Sequence, residues 1–379
     1  MGRARILLLN RVGYKGGAEE VLLDIARYLA PNRFEPRAVC LGAGPLVEDF
    51  RAAGLPTTVL IEHRTRELHK ILIAVKQLAD ILRREKIDLI HANGSSTFLY
   101  AGLAAKLVPC PVVWEVYDPL AGTGLFEWLF FNVQRRLVPA WTIFGTPAVA
   151  ESYLHHYRNL TAHSTILPGV DLAASLQDAN PARARTALGI PNAAPIVVMF
   201  SRLQRQKGHL DLLRAAKTVL QRYPEVRFVL CGGALAGLEP DYPQELTAQI
   251  QAQGLTERVL LTGYVEAKLK WDILAAATLV VHPAHTEAFG IAVVEGMGAG
   301  KPVVATDCVG PKTTVLPGET GLLVPRQNPS ALAEALLHVL SDPQAAHTMG
   351  EKGQIHVQHK YSKQQMVRQI EEVYTNVLS

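Results

Sequence analysis

Ile196-Val197-Val198-Met199-Phe200 runs without a break into Ser201-Arg202-Leu203-Gln204-Arg205-Gln206-Lys207-Gly208. The apolar run reads as a short strand buried on both faces. The polar, glycine-ended turn leads into a helical pattern over residues 210–222. The same unit recurs on either side. Strands are predicted at 5–10, 37–41, 57–60, 88–91, 111–116 and 142–144, with helices at 18–29 and 67–84. Further strands are predicted at 226–230, 259–261, 279–282 and 302–305. Near-continuous apolar strands separated by helices predict parallel sheets covered on both faces. One complete α/β set ends, and another begins, near Leu167-Pro168-Gly169-Val170-Asp171. The predicted domains are therefore 1–167 and 168–361. The final stretch carries Met366, Val367, Ile370, Val373, Tyr374 and Val377 at helical spacing, so it has one apolar face that must dock on something. Ligands of open parallel sheets bind beyond the carboxyl ends of the strands. Two such domains predict two facing edges with a cleft between them.

The 379 residues suit about two large domains at roughly 150 residues each. A hydrophobic content of 49% supplies real cores and excludes disorder. The net charge of +4 and aromatic content of 7% do not make a nucleic-acid surface. Cys40, Cys110, Cys231 and Cys308 follow no metal or CxxC spacing and read as buried, reduced thiols. The apolar run 6–9 is too short for a signal peptide, and no stretch reaches the eighteen or so apolar residues of a membrane span. A cytoplasmic protein is expected.

Three segments carry candidate chemistry. Glu287-Ala288-Phe289-Gly290-Ile291-Ala292-Val293-Val294-Glu295 follows a predicted strand and opens a helix. Its carboxylates could stand up to about 12 Å apart along a helix, whereas a hydrolase pair sits roughly 5–9.5 Å apart. The spacing therefore suits a ligand with two polar ends, with a phosphate approaching free amides near Gly290. Read locally, it is equally an ordinary helix with Glu287 at its positive end. Arg202 and Lys207 can clamp a diphosphate, or decorate a solvated basic turn. Gly13-Tyr14-Lys15-Gly16-Gly17-Ala18-Glu19 is a glycine-rich turn into a helix. It is not GxGxxG, so a nicotinamide cofactor is poorly supported. Pro302 after Gly300-Lys301 breaks the P-loop pattern, no Asp-x-Asp occurs, and His155-His156 reads as a surface pair. Residues 126–131, with Trp128, Phe130 and Phe131 before Arg135-Arg136, and the cations Arg64, Arg66, Lys70, Lys76, Arg83 and Arg84 read either as a lipid-facing surface or as core and solvated helix.

Taken together, these pieces resemble the retaining glycosyltransferases of family four, which have the GT-B fold of two facing Rossmann-like domains. The resemblance spans nearly the whole chain. It rests on Glu287 and Glu295, the Arg202/Lys207 pair, the Gly16-Gly17 loop, and Gly318-x-x-Gly321-Leu322-Leu323-Val324-Pro325. It implies a hexosyl- or related transferase that moves a sugar from a UDP- or GDP-sugar to a glycan or lipid-linked glycan. Arg202 and Lys207 would neutralise the diphosphate, helped by amides near Phe289, Gly290 and Ile291. Glu295 would hold the ribose, and Glu287 the transferred sugar. Gly232, Gly233, Tyr264 and Val265 would border the base, and Gly16 and Gly17 would close on the ligands. Residues 362–379 would pack back on the first domain. A front-face mechanism with retention needs no enzyme nucleophile, and fixed cations stabilise the departing diphosphate without metal. No cofactor and no nucleic acid are implied, and contact with the inner membrane face fits a lipid-linked acceptor.

The sequence departs from the family on the acceptor side. Tyr117 stands before Asp118 where many members carry a His-Asp pair, and Thr313-Thr314 stands where a Glu often follows the loop glycine. His91 is a second acceptor-side candidate, with a structural histidine as the alternative. Two other functions compete with transfer: a nucleotide-sugar-binding scaffold without catalysis, and a GT-B-like sugar-nucleotide epimerase.

Overall fold

A computed structural model describes residues 2–11, 16–60, 67–118, 132–160, 162–170, 176–234 and 239–379. The chain divides into two units. Unit 1 is Met1–Gly169 with Lys363–Ser379, and unit 2 is Val170–Ser362.

Unit 1 holds β1 (Ala4–Asn10), β2 (Phe34–Cys40), β3 (Thr57–Val59), β4 (Leu89–Asn93), β5 (Val112–Val116), β6 (Trp141–Phe144) and β7 (His163–Thr165). They form one sheet in the order β3-β2-β1-β4-β5-β6-β7, parallel throughout. Unit 2 holds β8 (Ile196–Phe200), β9 (Arg227–Cys231), β10 (Val259–Gly263), β11 (Leu279–His282), β12 (Val303–Thr306) and β13 (Leu322–Val324). Its order is β10-β9-β8-β11-β12-β13, again parallel. Every residue of β4, β5, β8, β11 and β12 is buried. Helices cover both faces, which is why these strands are apolar at consecutive positions rather than alternate ones. In each sheet the strand order reverses once, between β1 and β4 and between β8 and β11. Chains leaving neighbouring strands at such a point diverge and open a crevice at the carboxyl edge.

The helix Lys363–Leu378 belongs to unit 1. Met366, Val367, Ile370, Val373 and Tyr374 are buried in one core with Ile6, Leu8, Val21, Leu22, Ile25 and Phe34. Burying each such side chain contributes about 1.5–3 kcal/mol. Polar contacts fix the register: Glu371 Oε1 accepts from Ala30 N at 2.6 Å, and Lys363 pairs with Asp24 at 2.8 Å. Just before this helix, Val170 N donates to Tyr361 O at 2.6 Å, and Val170 bridges Ser362.

Two edge strands, β7 and β13, add to the expected set. Each has three residues; β7, His-Ser-Thr, carries no apolar run, and β13, Leu-Leu-Val, is cut short between Gly321 and Pro325. Cys40, Cys231 and Cys308 are buried and Cys110 half-buried, all as free thiols. Burial pushes the thiols of Cys40 and Cys110 up to about 12. Of the cations marked in the sequence, Lys70 pairs with Glu67 and Arg83 with Asp80. Arg64, Arg66 and residues 126–131 lie outside the described residues. No helix among the described residues is long and apolar enough to cross a membrane.

Candidate functional site

The strand-order reversal between β8 and β11 is where the candidate residues of unit 2 collect. After β8 the chain runs through a 3₁₀ turn, Arg205–Lys207, and then Gly208 opens the helix His209–Arg222. Gly208 has φ 77° and lies against the loop after β11, where a Cβ would stand 1.9 Å from Pro283 O. Only glycine fits there, for both reasons. His285 N donates to Gln206 O at 2.7 Å, stitching the two loops together.

This crossing brings Lys207 to Glu287. Lys207 Nζ donates to Glu287 Oε2 at 2.9 Å, and His282 Nε2 lies 3.1 Å from the same oxygen. The Lys207 and Glu287 side chains are only 10% and 18% exposed. Burial alone would raise the Glu287 carboxyl; the hydrogen bond and charge of His282, with Lys207, outweigh it and hold the group well below the usual carboxylate range. Glu287 is therefore a fixed anion, unsuited to donating a proton. Arg202, at the start of the same turn, is exposed.

The loop from Glu287 ends at Gly290, with φ 87°, which begins the helix Ile291–Gly298. The first amides of a helix have no partner within it, so they can face an anion. The loop is backed by Gly310, whose N donates to Glu287 O at 2.8 Å. A Cβ on Gly310 would lie 2.5 Å from the Phe289 backbone. Phe289 itself is buried against Tyr361, with ring centroids 5.8 Å apart. Glu295, one face of that helix on, is buried and accepts from Lys270 Nζ at 2.5 Å. Next to the end of β8, Gly232 would carry a Cβ 1.7 Å from Ser201 O, and its N donates to Gly263 O at 2.9 Å. Gly233 borders Tyr264, whose side chain is exposed, and Val265 is half-buried. Residues 235–238 lie outside the described residues.

A second layer holds this arrangement. His285 Nε2 lies 2.6 Å from Asp211 Oδ2, and Asp211 also accepts from Arg214 at 3.2 Å. His209 Nε2 lies 3.1 Å from Ser201 Oγ, and burial pushes this imidazole down to about 4. Arg205 pairs with Glu239 and Glu245 and stacks 4.9 Å over the Tyr242 ring. His282, His285, Asp211 and Lys270 were not singled out in the sequence. The one signal for His282 was its place as the last residue of a predicted strand, five before Glu287.

In unit 1, Asn93 Nδ2 donates to Asn10 Oδ1 at 3.0 Å where β1 and β4 diverge. Gly16 and Gly17 open the helix Gly17–Tyr28, while residues 12–15 of that loop lie outside the described residues. His91 is 0% exposed, with Nε2 at 2.9 Å from Glu115 Oε2 and Nδ1 at 2.7 Å from Tyr374 OH. Both ring nitrogens are engaged, so this is a structural histidine rather than an acceptor contact. Tyr117 OH likewise points inward, donating to Glu115 Oε1 at 2.7 Å. Burial first, and then the Glu115 charge, push the Tyr117 phenol far up. Asp118 is exposed. Among the described residues no group of three or more His, Cys, Asp or Glu is placed to hold a metal.

Residues 182–356 match the family described as Glycosyl transferases group 1, and residues 15–174 match Glycosyltransferase Family 4. The chain is 34% identical over 235 residues to a D-inositol 3-phosphate glycosyltransferase of Corynebacterium urealyticum, covering 60% of this chain and 54% of that protein. It is 33% identical over 325 residues to the Arthrobacter protein of the same name, covering 81% and 75%. With the first of these relatives, the match spans only about half of the relative's length. Among solved structures, Anabaena HepE in complex with UDP-glucose is similar at a TM-score of 0.85 and 25% identity, over 98% of this chain and 99% of that one. The same Anabaena protein in complex with UDP gives 0.84 and 26%, over 98% and 100%.

Proposed function

Because the chain belongs to the group 1 glycosyltransferases and has their two-domain GT-B fold, we propose that it transfers a sugar from a UDP-sugar to a hydroxyl of a glycan or lipid-linked glycan. The observation that carries this is the Lys207–Glu287–His282 cluster beside the start of the helix Ile291–Gly298. Breaking the sugar–phosphate bond leaves its electron pair on the departing diphosphate. Lys207, Arg202 and the first amides of that helix are the groups assigned to this charge, because fixed donors stabilise it without reorganising. Glu287, a carboxylate held in its ionised form, is assigned to the sugar: it holds a hydroxyl and favours positive charge developing at the anomeric carbon. Glu295 is assigned to the ribose, and Gly232, Gly233, Tyr264 and Val265 to the base. The acceptor oxygen bonds to the anomeric carbon on the face the diphosphate leaves, and its proton passes to the diphosphate. Configuration is then retained with no enzyme nucleophile and no metal. The UDP and UDP-glucose complexes of the Anabaena protein support uridine over guanosine. The reading places the work in the cytoplasm, at the inner membrane face where the acceptor is lipid-linked.

The test is thermal stabilisation by UDP, GDP, ADP and their sugars, followed by nucleotide release from whichever sugar binds. A ligand at a hundred times its Kd stabilises by about 2.7 kcal/mol. The expected result is a shift with UDP and its sugars, and release that survives EDTA and rises with an acceptor. D-inositol 3-phosphate, for which the relatives are named, is the first acceptor to assay. Binding without turnover would favour the scaffold, and no shift with any nucleotide would refute the donor site.

A further inference from the structure

Arg135, Arg136 and Arg158 line, with Asn132 and Asn159, an open cavity of about 320 Å³ in unit 1. All three arginines are exposed, and none pairs with a carboxylate among the described residues. Elsewhere in this unit, Arg33, Arg37, Arg51, Arg83 and Arg84 each hold a carboxylate. Three like charges around one hollow repel one another, and an anion placed among them removes that cost.

The cations stand on a fixed base. Gln134 and Tyr157, which immediately precede Arg135 and Arg158, are both buried. Gln134 Nε2 donates to Ser95 O at 2.7 Å, Tyr157 OH donates to Gln134 Oε1 at 3.3 Å, and Asn159 Nδ2 donates to Arg135 O at 2.9 Å. The two segments that carry the arginines are thus tied to each other and to the core. Arg135 and Arg136 lead into β6, and Arg158 lies between the helix Pro147–His156 and β7. The first segment runs from Gln134, beside Ser95 just after β4, back to Ala140, whose N donates to Val112 O at 2.8 Å at the start of β5.

We propose that this cavity is a binding site for a phosphomonoester group, separate from the donor site. A carboxylate has two oxygens and is satisfied by one guanidinium fork, whereas a phosphomonoester dianion offers three oxygens and two charges to three forks. At about 320 Å³ the open cavity has room for a phosphate together with part of the body that carries it. That body is a soluble phosphate ester or a lipid headgroup, which present the same chemistry.

The experiment titrates the full chain with inorganic phosphate at constant ionic strength. In parallel, it measures co-sedimentation with phosphatidylcholine vesicles with and without phosphatidic acid. Each is repeated for Arg135→Ala, Arg136→Ala and Arg158→Ala. Charge-assisted hydrogen bonds lost one arginine at a time should weaken binding at least about tenfold each. An unchanged UDP response in the variants shows that they are folded and that the donor site is not what changed. Loss of phosphate binding supports the proposal with a soluble ligand; loss confined to phosphatidic acid vesicles supports it with a lipid. Equal behaviour of the wild-type chain and all three variants in both assays overturns it, as does a phosphate response no larger than that to chloride.

Discussion

Replacing Lys207 by methionine keeps most of the side-chain volume and removes the ammonium 2.9 Å from the Glu287 carboxylate. At an effective dielectric constant of about 20, unit charges at that separation attract by about 6 kcal/mol. Desolvation of both groups offsets much of this, and His282 remains on the same oxygen, so a net loss of about 2–3 kcal/mol is expected. Glu287→Gln should cost a similar amount, because it leaves Lys207 buried without its anion. The double variant removes both charges and should cost less than the sum by about 2 kcal/mol. Denaturation by urea reads this as a lowered midpoint in the transition that UDP shifts. With m of about 2 kcal/mol per molar, each single change moves it by about 1 M. Transfer should fall about 10²–10³-fold in Lys207→Met, the scale for losing one donor aimed at developing negative charge. The sign with pH also follows. A carboxyl held below its unfolded value contributes stability fully above the unfolded pKa of about 4.3, and loses it as pH falls through the folded value. The wild-type advantage over Glu287→Gln should therefore vanish in strong acid. Additivity of the two single changes to within about 0.5 kcal/mol would refute the coupling, and unchanged kcat/KM in Lys207→Met would remove the diphosphate assignment.

Other outcomes are equally specific. Tyr374→Phe keeps the ring but strips the His91 Nδ1 of its partner at a fully buried site, so unit 1 should lose about 1–3 kcal/mol; a change below about 0.5 kcal/mol would show that the bond does not matter. His209 is neutral in the fold down to about pH 4 while the unfolded chain takes up its proton near 6.5, so stability is full above 6.5 and falls as pH drops to 4, by about 3 kcal/mol in all. In His209→Gln that slope should flatten, as measured by thermal melts across the window. Gly310→Ala drives a Cβ into the Phe289 backbone and should cost about 1–3 kcal/mol and weaken UDP binding, whereas wild-type melting and UDP affinity would show the loop free to shift.

The sequence made the sheets legible but not what joins the side chains. The strands Ile196–Phe200 and Leu279–His282 have the limits read from their apolar runs, because a strand buried on both faces is apolar at every position. His163–Thr165 carried no such signal, since an edge strand of three residues needs only backbone pairing. Lys207 and Glu287 were each marked as candidates, but their pairing was not, because 80 residues separate them and only the loop crossing at Gly208 joins them. His91 drew attention as a polar residue at a strand end. What occupies it, Glu115 and Tyr374, lies 24 and 283 residues away. A residue's type announces that a polar partner is needed, and the fold alone says which one.

The helix Lys363–Leu378 completes the core of unit 1, yet it follows the whole of unit 2 in the chain. During synthesis at roughly 5–20 residues per second, the 193 residues from Val170 to Ser362 occupy the ribosome for about 10–40 s. For that interval Ile6, Leu8, Val21 and Phe34 have no Tyr374 or Ile370 to cover them. Unit 2 has all its own strands before then, so it can finish folding first although it is made second. The nascent chain thus carries an open apolar seam on the unit made before Val170 until that helix emerges.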